Sequence, residues 1–216
     1  MTQTFSRQAQ LFIKLVLLGG VVGVVVAALA WKATTAQPYA RDEPVVQPVP
    51  FSHKHHVADD GIDCRYCHTS VETDAFAGIP PLSTCMTCHS QLYTDEPVLA
   101  PLIEAWTAEA PLPWHRVHDL PDFVYFDHSA HVTHGVGCSS CHGRVDRMPL
   151  TWREAPLTME WCLDCHREPE RQLRPAEAIF DMDWQPPPDQ LERGRALVAH
   201  YGIDSDRLTE CSICHR

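Results

Sequence analysis

All ten cysteines of this chain fall into one spacing, Cys-x-x-Cys-His, repeated five times. The copies are Cys64/Cys67/His68, Cys85/Cys88/His89, Cys138/Cys141/His142, Cys162/Cys165/His166 and Cys211/Cys214/His215. Two thiols at this separation can each form a thioether with a vinyl group of haem, and the histidine that follows then becomes an axial iron ligand. Zinc ribbons also use paired cysteines but need no histidine directly after each pair. A disulfide framework would not hold the Cys-Cys-His register either. The pattern implies five covalently attached haem c groups, with His68, His89, His142, His166 and His215 as proximal ligands.

A haem held by one histidine keeps an open position that can bind substrate. A second protein ligand closes it and suits it to outer-sphere electron transfer. Nine histidines lie outside the motifs: His53, His55, His56, His115, His118, His128, His131, His134 and His200. Four of them form a doublet. Phe51-Ser52-His53-Lys54-His55-His56 precedes the first motif, and Phe126-Asp127-His128-Ser129-Ala130-His131 precedes the third. Both read Phe-x-His-x-x-His, and each is followed by two attachment motifs. Pro81-Leu82-Ser83 and Pro156-Leu157-Thr158, ahead of the second and fourth motifs, correspond loosely as well. The chain therefore reads as two related di-haem units and a fifth attachment site at the C-terminus. His55, His115 and His134 read as surface residues. Trp152, Trp161, Tyr125 and Phe126 read as aromatics packed on haem, and Met86 and Met148 as soft side chains packed on a haem edge.

Phe-x-His-x-x-His before Cys-x-x-Cys-His resembles the small multihaem cytochromes of the c3 and c7 type. The resemblance implies that His53 completes the first haem and His128 the third, while His56 and His131 serve neighbouring haems, most simply the second and fourth. The string from Arg116 through His118 to Phe126, with Thr158-Met159-Glu160-Trp161 and the terminal Cys-x-x-Cys-His-Arg, resembles the pentahaem membrane-anchored subunit of alternative complex III. That is a respiratory complex that oxidises quinol. In that light His118 is the fifth distal ligand, with His200 its rival for the fifth haem and Met159 a thioether alternative. The resemblance also implies an iron-sulfur protein, polytopic membrane subunits, a mono-haem cytochrome c and a periplasmic electron acceptor as partners.

These groups must be positioned by very little polypeptide. The part after the apolar N-terminus offers roughly forty residues per motif, too few to bury an ordinary core around each. The haems themselves are then the core, wrapped in short helices and loops. Eighteen prolines fit this. The expected fold class is mainly α and irregular with very little β: one N-terminal transmembrane helix plus a multihaem domain of the c3/c7 kind. Short amphipathic helices are expected over residues 97–108 and 191–201, the second led by Asp189, ended by Gly202 and lying against the fifth haem.

Residues 11–31 form the one strongly apolar stretch, long enough to cross the lipid bilayer as a helix. Lys14 can snorkel to one interface and Trp31 suits the other. Ala28-Leu29-Ala30 also resembles a cleavage site, so a signal peptide is the competing reading. As an anchor, the stretch divides the chain into a cytoplasmic N-terminus (1–10), a membrane helix (11–31), a Pro-rich tether (32–50) and a haem domain (51–216). That domain comprises units at 51–110 and 111–175 and a C-terminal segment, 176–216. Single-pass anchorage in the bacterial cytoplasmic membrane, with the haem domain in the periplasm, follows from this reading.

A formal charge of −11 makes nucleic acid an improbable partner. The function expected is electron transfer from a quinol-oxidising membrane complex to a periplasmic acceptor, with no bond chemistry on this chain. A stand-alone quinol dehydrogenase with one anchor helix is the first alternative. A catalytic multihaem reductase is the second, and would need an open distal position.

Overall fold

The computed structural model describes residues 6–35 and 41–215, which fall into two compact units. Residues 1–5 and 36–40, parts of the expected N-terminal segment and tether, lie outside the described residues, as does Arg216. The first unit is helix α1, Arg7–Thr35. Its 26-residue candidate span, Arg7–Lys32, is about 39 Å long at 1.5 Å per residue, more than the hydrocarbon thickness of a bilayer. A signal sequence meets the same test of length and composition.

In the second unit, short helices carry all five motifs: α2 (Cys64–Cys67), α3 (Leu82–His89), α6 (Ser139–His142), α7 (Met159–Arg167) and α9 (Cys211–Cys214). Residues three and four apart share a helix face, so one turn places both sulfurs and the imidazole on the same side. Local capping starts three of the short helices. Asp63 accepts from the Arg65 amide at α2, Asp127 from the Ala130 amide at α5 (His128–Thr133), and Thr158 from the Trp161 amide at α7. The remaining α-helices are α4 (Ala100–Thr107) and α8 (Gln190–Tyr201). Asp189 precedes α8 and Gly202 ends it in the left-handed region at φ 66°, as the sequence predicts. Among the described residues there is no strand, only isolated bridges such as Val124 to His215.

The apolar core is as thin as the residue count predicts. Met148 and Leu173 are the largest fully buried side chains among the described residues. A small cluster of Val71, Val132 and Ile179 joins the first repeat, the second repeat and the C-terminal segment. Arg174, also buried, bonds Ser139 Oγ at 2.6 Å and the Asp181 carbonyl at 3.1 Å, with its guanidinium 4.4 Å from the Trp184 ring centre. It thereby locks the third motif to the C-terminal segment.

Part of the proline-rich stretch is docked onto the folded unit and is not a free tether. The Asp42 amide donates to the Arg153 carbonyl at 3.0 Å and the Val45 amide to the Thr151 carbonyl at 3.1 Å. Val45 and Val49 are buried. Helix α8 packs on the turn that follows the fourth motif: Gln190 Nε2 donates to the Glu170 and Leu173 carbonyls, each at 2.9 Å. At Gly194 the helix meets that turn so closely that a β-carbon would overlap the Glu170 carbonyl. Gly194→Ala should therefore cost about 2–3 kcal/mol despite its better helix propensity, read as a lowered denaturant midpoint.

Asp146 is buried and takes two bonds from Arg144, at 2.8 and 2.6 Å. These bonds hold its carboxyl below the ordinary value of 3.8, and the Arg144 guanidinium is raised in turn. A depressed carboxylate stabilises the fold above its unfolded pKa, and that contribution is lost as pH falls through the lower folded value. Asp146→Asn should cost about 1–2 kcal/mol at pH 7, discounted because Arg144 is partly exposed. The gap to the parent should close as unfolding is measured below the ordinary carboxylate value.

Candidate functional site

Four of the five motif histidines have a second histidine facing them. The ring centres are 6.5 Å apart for His53 and His68, 6.2 Å for His56 and His89, 6.4 Å for His128 and His142, and 6.1 Å for His131 and His166. Two imidazoles bound to one metal ion at about 2.0 Å each would put their centres about 6.3 Å apart. All four pairs match that spacing.

The outer nitrogens are committed as ligation requires. Nδ1 of His68 donates to the Gly78 carbonyl at 2.7 Å, and that of His89 to Leu92 at 3.3 Å. Nδ1 of His128 donates to the Ala75 carbonyl at 2.9 Å, that of His166 to Leu208 at 2.9 Å and that of His215 to Phe123 at 3.2 Å. A carbonyl can only accept, so the proton sits on Nδ1 and Nε2 keeps its lone pair for a metal. This is the donor set that bis-histidine haem c needs, and the residues present fit that group.

The repeat in the sequence is a repeat in geometry. Phe51 lies edge-on to His53 at 4.9 Å and stacks on His56 at 4.5 Å; Phe126 does the same to His128 at 4.8 Å and His131 at 4.5 Å. In both copies the residue after the phenylalanine offers its carbonyl to the second histidine: Ser52 to His56 Nδ1 at 2.9 Å, Asp127 to His131 Nδ1 at 2.7 Å. Phe126 is thus a brace for two imidazoles, a more specific role than the general haem packing expected of it.

His118 is not brought to the fifth motif. Its Nε2 lies 3.2 Å from Nδ1 of His142, with ring centres 4.3 Å apart. It therefore occupies the outer side of the third proximal histidine, as acceptor of the His142 Nδ1 proton. Burial, followed by the charge of Arg153, lowers the pKa of His118 to about 4, so it is neutral and able to accept. His200 is exposed beside Tyr201, and Met159 is 66% exposed. The ring beside His215 is that of Phe123, at 6.0 Å. His55, His115 and His134 are exposed.

Sequence reasoning missed the groups that orient these rings. Thr151 Oγ1 lies 3.0 Å from His53 Nδ1, reaching from the second repeat to the first. The Ala75 carbonyl reaches the other way, to His128. Neither residue has chemistry of its own to flag it. Their only signal is that Ala75 and Thr151 stand at similar distances before the second motif of each repeat.

Thiols of different motifs are close enough to act on one another's charge. Burial raises the Cys141 thiol to about 12, with Cys165 and Cys162 next among its causes. Burial raises Cys138 to about 11, with Cys64 next. The Cys67 thiol is raised by burial and then by Cys85, and Cys162 by burial and then by Cys214.

Known proteins resemble the chain in both halves. Residues 30–108 match the class III cytochrome C family, and residues 124–216 match the family of cytochrome c7 and related cytochrome c. Over 207 residues the chain is 30% identical to the menaquinone reductase, multihaem cytochrome c subunit, of Nitratidesulfovibrio vulgaris strain Hildenborough. That alignment covers 90% of this chain and 88% of its relative.

Proposed function

We propose, for a chain that belongs to the multihaem cytochrome c family, the role of a pentahaem electron-transfer subunit in a membrane quinone–quinol oxidoreductase complex. The observation that carries this reading is the set of four facing histidine pairs, since a doubly ligated iron has no open position for substrate. Cys64 and Cys67, Cys85 and Cys88, Cys138 and Cys141, Cys162 and Cys165, and Cys211 and Cys214 would hold five haem c groups. His68, His89, His142, His166 and His215 would be proximal ligands, opposed by His53, His56, His128 and His131 in the first four. Haem c supplies reversible one-electron chemistry at a potential set by its axial ligands and their hydrogen bonds.

The chain's own residues do the rest. The acceptors on Nδ1, which are backbone carbonyls except for the Thr151 hydroxyl at His53 and the His118 ring at His142, give each ligand imidazole more electron density and fix its plane. Phe51 and Phe126 keep paired imidazoles from rotating away. His118 acts through His142 by accepting its Nδ1 proton. His118→Phe would remove that acceptor and raise the third potential by on the order of tens of millivolts, as seen in a spectroscopic redox titration.

The finer reading is a complex of the alternative complex III kind. Here α1 anchors the chain in the cytoplasmic membrane, and the second unit lies in the periplasm. An iron-sulfur protein, polytopic subunits and a mono-haem cytochrome c are its partners, and electrons run from quinol to a periplasmic acceptor. The name of the Nitratidesulfovibrio relative favours a second reading, in which electrons run toward menaquinone. The test is optical: add menaquinol to the oxidised native membrane assembly and to the detergent-purified chain. Reduction in the assembly alone supports a conducting subunit whose quinol site lies on its partners. Fast reduction of the isolated chain would instead make it a quinol dehydrogenase. If menaquinone oxidises the pre-reduced assembly and menaquinol fails to reduce the oxidised one, the second direction holds.

A further inference from the structure

The five motifs do not lie in space in the order in which the chain runs through them. Tyr66, inside the first motif, bonds Thr87, inside the second, at 2.9 Å between their hydroxyls. His53 and His56, the facing ligands of the first two sites, stand one helical turn apart at the start of the π-helical turn Lys54–Asp59. These sites are neighbours.

The first and third sites meet next, across an exchange of hydrogen bonds between the repeats. Thr151 of the second repeat orients His53 of the first, and the Ala75 carbonyl of the first orients His128 of the second. The Ser129 amide adds a bond to the Asp74 carbonyl at 3.2 Å, and the Lys54 amide one to the Met148 carbonyl at 3.0 Å. No comparable exchange joins the second and third sites among the hydrogen bonds described. The repeats are thus set head to head on their first sites.

The third and fourth sites share α5, which carries His128 and His131 one turn apart. The fifth follows the fourth. The carbonyl of Leu208, just before α9, holds His166 of the fourth site. The Tyr125 amide donates to the Cys214 carbonyl at 2.7 Å, beside the Phe126 that braces the fourth site's His131. Exposure agrees with an open-ended row: Cys88 of the second motif and Cys211 of the fifth are exposed, while the other motif cysteines are half-buried.

We infer that the chain sets its redox sites in one unbranched row, second–first–third–fourth–fifth, with the second and fifth motifs at its ends. This rests on the pentahaem reading above. Electrons enter and leave at the α3 end and the α9 end, and every electron crosses the seam between the repeats where Thr151 and Ala75 exchange bonds.

The test is a structure of the purified holo-protein, by electron cryomicroscopy of its assembly or iron-edge anomalous diffraction, after mass spectrometry has counted the attached haems. The four shortest iron–iron separations are expected to be second–first, first–third, third–fourth and fourth–fifth. Any other pair among those four overturns the row while leaving the pentahaem reading intact. A mass showing fewer than five haems overturns that reading, and the row with it.

Discussion

Replacing His128 by alanine is expected to leave a chain that still carries all its haem but conducts far more slowly. The covalent bonds at Cys138 and Cys141 do not depend on His128, so the number of haems counted by mass should not change. His142, however, would lose the imidazole that faces it at 6.4 Å. One site should then turn high-spin, seen as a new axial signal in electron paramagnetic resonance, and its potential should rise. The third site occupies the middle of the row and cannot be bypassed within the chain. Steady-state transfer through the assembly should fall about 10–100-fold, the usual cost of disturbing a metal's ligand shell. His55→Ala provides the control, because His55 is exposed and its nearest charged partner is Asp60, at 3.7 Å. That variant should keep both its spectrum and its rate.

Phe126→Ala should damage two sites at once without touching a ligand. The ring is edge-on to His128 and stacked on His131, so its removal frees both imidazoles to rotate. Partial high-spin character is expected at the third and fourth sites together. The lost packing should cost about 2 kcal/mol, below the usual figure for a buried phenylalanine because this ring is half-buried. Phe126→Tyr, which keeps the ring, should restore the low-spin spectrum. Phe51→Ala should produce the corresponding defect at the first and second sites.

The features legible in the sequence were those set by local spacing. The motif helices follow from Cys-x-x-Cys-His itself, because one helical turn aligns its three reactive side chains. His53, His56, His128 and His131 could be picked out because a doublet with one register stands out against nine non-motif histidines. Gly202 ends α8 by ordinary C-capping, whereas Asp189 stands at the N-cap position without a side-chain capping bond and pairs with Arg193 instead. The apolar run read as a helix and appears as α1.

Contacts between distant parts of the chain were not legible. Thr151 lies 98 residues from His53, and Ala75 lies 53 residues from His128. Nothing in a threonine or an alanine marks it as the partner of an imidazole. The docking of residues 41–50 was hidden for the same reason: their prolines suggest a spacer, whereas Val45 and Val49 are buried against the folded unit. His118 shows the limit most clearly. A histidine in a family-specific string invites reading as a metal ligand, but its place behind His142 depends on how the fold brings the bend at 117–118 to a residue 24 positions away. Helix α8 likewise packs on the turn after the fourth motif, a choice its amphipathic pattern does not encode.

The central claim is that facing histidine pairs close four of the sites for electron transfer. Quantitative electron paramagnetic resonance of the fully oxidised holo-protein, set against its haem content by mass, tests this most directly. The account predicts five haems per chain, with at least four low-spin. Two or more high-spin haems per chain would contradict it and return the protein to the class of multihaem reductases that bind substrate at iron.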